Sequence, residues 1–117
     1  MQPTATNFTD FSEDKKLLAL SLARITFLSF EEKLFLEKNL DSAIELALMS
    51  IDDISLRLKR PVNKAVWDGQ DNLRMAKVAL HYCTLLGVRL LHHSDQEYPD
   101  LLRQIADPPF LLFCRVM

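Results

Sequence analysis

The sequence predicts a mainly helical fold: a small bundle of short helices, one long helix, then two short β-strands. Three observations predict it. Glycine is scarce, with only Gly69 and Gly87 in 117 residues, which argues against a turn-rich β fold. A serine followed three residues later by a carboxylate occurs at Ser29–Glu32 and Ser50–Asp53, the reciprocal cap of a helix N-terminus. After Gly87 the helical spacing of apolar residues gives way to two short apolar runs, Val88 to Leu91 and Phe110 to Phe113.

The elements follow in order. Residues 1–11 are polar, contain Pro3, and are expected to be a flexible N-terminus. Ser12 caps a first helix whose start carries Glu13 and Asp14, which suit the positive end of the dipole. Leu17, Leu18, Leu20, Leu22, Ala23 and Ile25 make it largely buried. Thr26-Phe27-Leu28 is a tight connection, and the second helix runs from Ser29 to about Asn39 with Leu34, Phe35 and Leu36. A third short helix is expected from about Asp41 to Met49. The fourth, capped by Ser50, carries Ile51, Ile54, Leu56 and Leu58 and ends before Pro61. Helices this short are marginal alone, so they must pack as a bundle.

The stretch from Arg60 to Asp71 reads as a helical turn or an ordered loop around Trp67 and Gly69. From Asp71 or Asn72 a long helix runs to Leu86 on the stripe Leu73, Met75, Ala76, Ala79, Leu80, Cys83 and Leu86. Gly87 takes the left-handed cap position. Val88 to Leu91 is a buried strand, Pro99 opens a short helix, Pro108-Pro109 breaks it, and Phe110 to Phe113 is the second strand. This organises the chain as a flexible start (1–11), a helical domain (12–70), and a lead-in helix with strands (71–117).

Composition narrows the function. A net charge of −2 gives no overall electrostatic footprint for nucleic acid, so DNA contact requires a local patch. No apolar run approaches the roughly 18 residues needed to span a bilayer, and the N-terminus lacks a signal-peptide core. With two cysteines, Cys83 and Cys114, at no metal or redox spacing, the reading is a cytoplasmic protein with reduced thiols.

The last quarter carries a more specific pattern. It reads Leu90-Leu91, Ser94-Asp95, Tyr98-Pro99, Leu102, Ile105, Asp107-Pro108-Pro109 and Leu111-Leu112-Phe113. This order and spacing resembles the DNA-processing protein DprA (Smf) family, with Tyr98, Pro99, Leu102, Asp107, Pro108 and Pro109 as structural motif residues. The upstream helices resemble, more loosely, that family's SAM-like N-terminal domain, related to helix-hairpin-helix modules. The resemblance implies a recombination mediator of natural transformation, one that binds single-stranded DNA and loads the RecA recombinase through a Rossmann-like core. It implies that the long helix and two strands begin that core. The family's glycine-rich, phosphate-facing segment follows the strand that ends here at Phe113, and Arg115, Val116 and Met117 stand in its place. The expectation is therefore the front part of a longer protein, itself a protein-interaction or self-association module that forms homo-oligomers. The alternatives are a free-standing helical interaction module and a direct DNA-binding helical module. The connection Thr26-Phe27-Leu28-Ser29 lacks the glycine with which a DNA-binding hairpin approaches phosphate.

Each candidate site also has a plainer role. Arg57, Lys59, Arg60 and Lys64 form the best local DNA patch, although a solvated helix end with Asp52, Asp53 and Asp68 nearby is the simpler account. Arg74 and Lys77 read as a solvated face. His81, Cys83, His92, His93 and Cys114 fit no zinc spacing, so no metal is expected. Asp95, Glu97, Asp100 and Asp107 surround Tyr98 and suit turns and caps. Without a nucleophile–base pair or phosphate loop, no enzyme and no cofactor are expected. Phe27, Phe30, Phe35 and Trp67 can stack bases but at this spacing suit a core.

Overall fold

The structure, a computed structural model, describes residues 12–62 and 66–115, with Arg115 described by its backbone alone. Lys64 of the basic cluster and the expected flexible segment 1–11 lie outside these residues. The order is α1 (Glu13–Ala23), α2 (Phe30–Asn39), α3 (Ala43–Ala47), α4 (Ile51–Leu58), α5 (Gly69–Leu86), β1 (Val88–His92), α6 (Asp100–Arg103) and β2 (Leu111–Arg115).

α1 is the centre of the molecule. Six consecutive residues, Leu17 to Leu22, are buried, so every side of the helix is covered. Each leucine removed from water contributes roughly 1.5–3 kcal/mol, and this one run supplies four of them. α5 lies along α1 and seats Leu73, Ala76 and Cys83 in the common core. At its start, Asn72 donates to the Ser21 carbonyl at 3.0 Å and accepts from Arg24 Nε at 3.2 Å. α2 is attached more thinly, with Leu36 its single fully buried side chain.

The serine caps form as expected. Ser29 and Glu32 exchange bonds at 3.1 and 2.9 Å, and Ser50 and Asp53 at 3.1 and 3.0 Å. Several boundaries differ from expectation. α3 spans Ala43–Ala47 rather than Asp41 to Met49, because Ser42 is its cap and the Asp41 N–H is taken by the Glu45 carboxylate at 2.7 Å. α5 begins two residues early, at Gly69, because Asp68 accepts from the Asp71 N–H and caps it there. The second strand starts at Leu111, and Phe110 is buried ahead of it.

Gly69 sits where two backbones meet. A Cβ at this position would lie 2.3 Å from the Ala47 carbonyl oxygen, so only glycine lets α5 start against the end of α3. Trp67, just before it, donates its indole N–H to the Met49 carbonyl at 2.9 Å and stands edge-on to Phe27. Gly87 closes α5 at φ 67°, the left-handed cap read from the sequence.

β1 and β2 pair antiparallel, with Leu90 opposite Phe113 and His92 opposite Leu111. Val88, Leu90 and Leu111 face the helices and join the core. Arg89 points to the other face, where it pairs with Glu97 of the connection between the strands. Among the described residues the sheet has two strands, so each has one edge without a strand partner. No described helix is long and apolar enough to cross a membrane.

Some apolar expectations fail: Phe35 is 44% exposed, Leu56 77%, and Leu86 at the end of the α5 stripe 59%. Ile54 fills the core from α4, and two residues later the helix has turned about 200°, which carries Leu56 to the far side.

Candidate interaction site at the hairpin connection

The motif residues come together in one ordered loop, residues 93–110, carried by the hairpin. It begins as a turn: Asp95 N–H donates to the His92 carbonyl at 2.8 Å, and the Asp95 carboxylate accepts the His92 N–H at 2.9 Å. Pro99 precedes α6 with the fixed φ of −62° that its ring imposes. Tyr98, 1% exposed, reaches across the loop and donates its hydroxyl to the Pro109 carbonyl at 2.6 Å. Burial pushes its phenol pKa up, opposed by the Arg103 charge.

Arg103 ties the rest. It donates to the His93 carbonyl at 3.2 Å, to the Asp95 carbonyl, and to the Asp100 carboxylate at 2.6 Å, and its guanidinium lies 5.2 Å from the centre of the Tyr98 ring. Pro108 is buried and Pro109 half-buried, whereas Asp107 is exposed and Leu102 half-buried. Tyr98, Pro99, Pro108 and Pro109 thus shape the loop; Asp107 does not enter its hydrogen bonding.

The loop meets α2 beside a cleft of about 470 Å³, lined among others by Leu18, Leu34, Glu37, His92 and His93. His92 is the centre of this seam. Its Nε2 lies 2.9 and 3.0 Å from the two Glu37 carboxylate oxygens, and its Nδ1 accepts from the Ser94 N–H at 3.1 Å with the Ser94 hydroxyl at 2.7 Å. The Ser94 N–H fixes the ring proton on Nε2, where Glu37 accepts it. A carboxylate, an imidazole and a hydroxyl in line resemble a catalytic relay. Here the Ser94 N–H already occupies the Nδ1 lone pair that would have to take the hydroxyl proton. The arrangement joins the turn at the end of β1 to α2.

The basic cluster is divided. Arg60 turns inward, bonding the Glu32 carboxylate through Nε and, at 2.8 Å, through a second nitrogen, and reaching the Phe27 carbonyl at 3.0 Å. That guanidinium holds the Glu32 carboxyl below its ordinary pKa. Arg57 lies 3.6 Å from Glu45, while Lys59 is exposed as the left-handed cap of α4. Elsewhere Arg74 pairs with Asp71 at 2.7 Å. Of the candidate stacking aromatics, Phe27, Phe30 and Trp67 pack against the core and Phe35 is exposed. Among the described residues no three His, Cys, Asp or Glu side chains converge as a metal site.

Sequence reasoning missed Glu37, which meets His92 across 55 positions and has no local signal, and Arg103. For Arg103 a signal existed: it follows Asp100 by three residues on a helix opened by Tyr98-Pro99. Set against models of protein families, curated proteins and solved structures, the chain matches none.

Proposed function

We propose that this chain is the N-terminal region of a DNA-processing protein of the DprA (Smf) family, and that it works by protein contact and self-association. The observation that supports this is the antiparallel hairpin, whose motif residues fold into one tied loop while, among the described residues, its outer edges have no strand partner. Phe113 sits on the helix-facing side of β2 yet is 58% exposed, whereas Leu90 opposite it is 6% exposed. An additional strand beside β2 would cover it, from a second copy or from a Rossmann-like sheet. The helical bundle, SAM-like in this reading, is the platform from which the hairpin is presented.

DNA handling would then belong to the rest of such a protein, with RecA as the partner it serves. Arg57 and Arg60 of the basic cluster, and Arg74, are paired with carboxylates, which lowers the positive charge they offer to phosphate. Titration of a fluorescent single-stranded oligonucleotide at low and moderate salt tests this. The expected result is no salt-sensitive binding by this chain; tight binding that collapses with salt would show a direct DNA-binding module instead.

A further inference from the structure

α2 meets the hairpin connection along one stripe, Phe30, Lys33, Leu34 and Glu37, which helical spacing places on a common face. The Phe30 ring lies 4.5 Å from His93 and 6.2 Å from Phe110, and His93 lies 5.4 Å from Tyr98. Lys33 feels the Asp107 carboxylate across the seam. Glu37 holds His92. Two adjacent histidines therefore sit in the joint between helices and hairpin.

We propose that this joint is a histidine latch, closed while His93 is neutral and released as it takes up a proton, freeing the hairpin connection from α2 while α1 and α5 stay folded. A proton on His93 places a charge between Phe30 and Tyr98. Burial, then the Arg103 and His92 charges, lower the His93 pKa, with Glu37 pulling the other way. Around the cleft stand Lys15 of α1, Glu37 and Lys38 of α2, Asp41 beyond α2, and His92 and His93 themselves. Arg103 of α6 and the Asp95 carboxylate, engaged by the His92 N–H, complete the set. The sign follows from His93, a base whose pKa is depressed in the closed joint. The closed form binds fewer protons, so it holds best above about 6.5, the ordinary histidine value, and weakens as pH falls below that.

The latch is thin enough to open alone. α2 buries only Leu36 fully, whereas α1 buries six residues. Amide NMR of the full chain, followed from about pH 7.5 to about pH 5, across the range in which histidine changes charge, reads it directly. Signals of residues 30–40 and 92–110 should move through one transition while those of α1 and α5 remain. His93→Phe keeps a ring against Phe30 without the charge and should lower the midpoint. Glu37→Gln keeps an acceptor for Nε2–H but removes the carboxylate that favours the imidazolium, and should raise it. The proposal fails if the two segments do not respond over this range, if all helices lose their signals together, or if both variants titrate as the parent does.

Discussion

Replacing Gly69 by alanine tests the packing of the bundle at its tightest point. In an ordinary helix interior this change stabilises by roughly 0.5–1 kcal/mol, because glycine loses more backbone freedom on folding. Here the new methyl carbon would stand 2.3 Å from the Ala47 oxygen, 2.9 Å from its carbonyl carbon and 3.0 Å from its Cα. All three are backbone atoms, so no side chain can swing aside; α3 and α5 must separate. That movement pulls on the Trp67 bond to the Met49 carbonyl and on the Asp68 cap. Overpacking of this kind costs about 1–3 kcal/mol. For a domain near this size each kcal/mol lowers Tm by roughly 4 °C, giving a fall of about 4–12 °C. Thermal melts by circular dichroism measure it, with Gln70→Ala, at the exposed neighbouring position, as a control expected to stay within about 0.5 kcal/mol. A Gly69→Ala protein as stable as the parent, or more so, would refute the close approach of α3 and α5.

Four other perturbations have defined outcomes. Tyr98→Phe removes the hydroxyl bound to the Pro109 carbonyl and should cost about 1–2 kcal/mol in urea unfolding, with the loss of protection centred on residues 93–110. Gly87→Ala meets no neighbour within 4 Å, so its cost of about 1 kcal/mol should come from the left-handed backbone alone, and Gly87→Asn should recover part of it. Ser21 carries the one buried side-chain oxygen without a hydrogen-bond partner among the described residues, so Ser21→Ala should be neutral or stabilise by up to about 1 kcal/mol. Glu32 has a lowered pKa in the fold, so its contribution is present above the ordinary carboxylate value of 4.5 and is lost as pH falls through the lowered one. Removing the main cause with Arg60→Gln should flatten the pH dependence of stability in that acid range.

How much was legible in the sequence follows from the reach of each signal. Ser29–Glu32, Ser50–Asp53 and Gly87 act within one helical turn, and each stands where local chemistry placed it. The start of α5 lies ahead of the position its sequence suggests because Asp68 competes with Asp71 as the first acidic residue, and the deciding constraint, the Ala47 carbonyl against Gly69, is tertiary. The loop from Ser94 to Pro109 was visible as a pattern of turn residues, but the bonds that close it, Tyr98 to Pro109 and Arg103 to two carbonyls, depend on how the chain returns. Arg60 read as a cation for phosphate; its pairing with Glu32, 28 positions away, turns it into a brace between α2 and the end of α4. Glu37 and His92 illustrate the same limit at the seam.

The central claim is that this chain acts through the open edge of its hairpin. Sedimentation velocity across a wide concentration range, for the parent and for Phe113→Lys, tests it most directly. Phe113 is exposed at the edge of β2, so the lysine should leave the Tm within about 1 kcal/mol of stability while it blocks edge pairing. The account predicts a parent that passes from monomer to dimer with concentration and a variant that stays monomeric. A parent that remains monomeric throughout, or a variant that dimerises equally well, would contradict it.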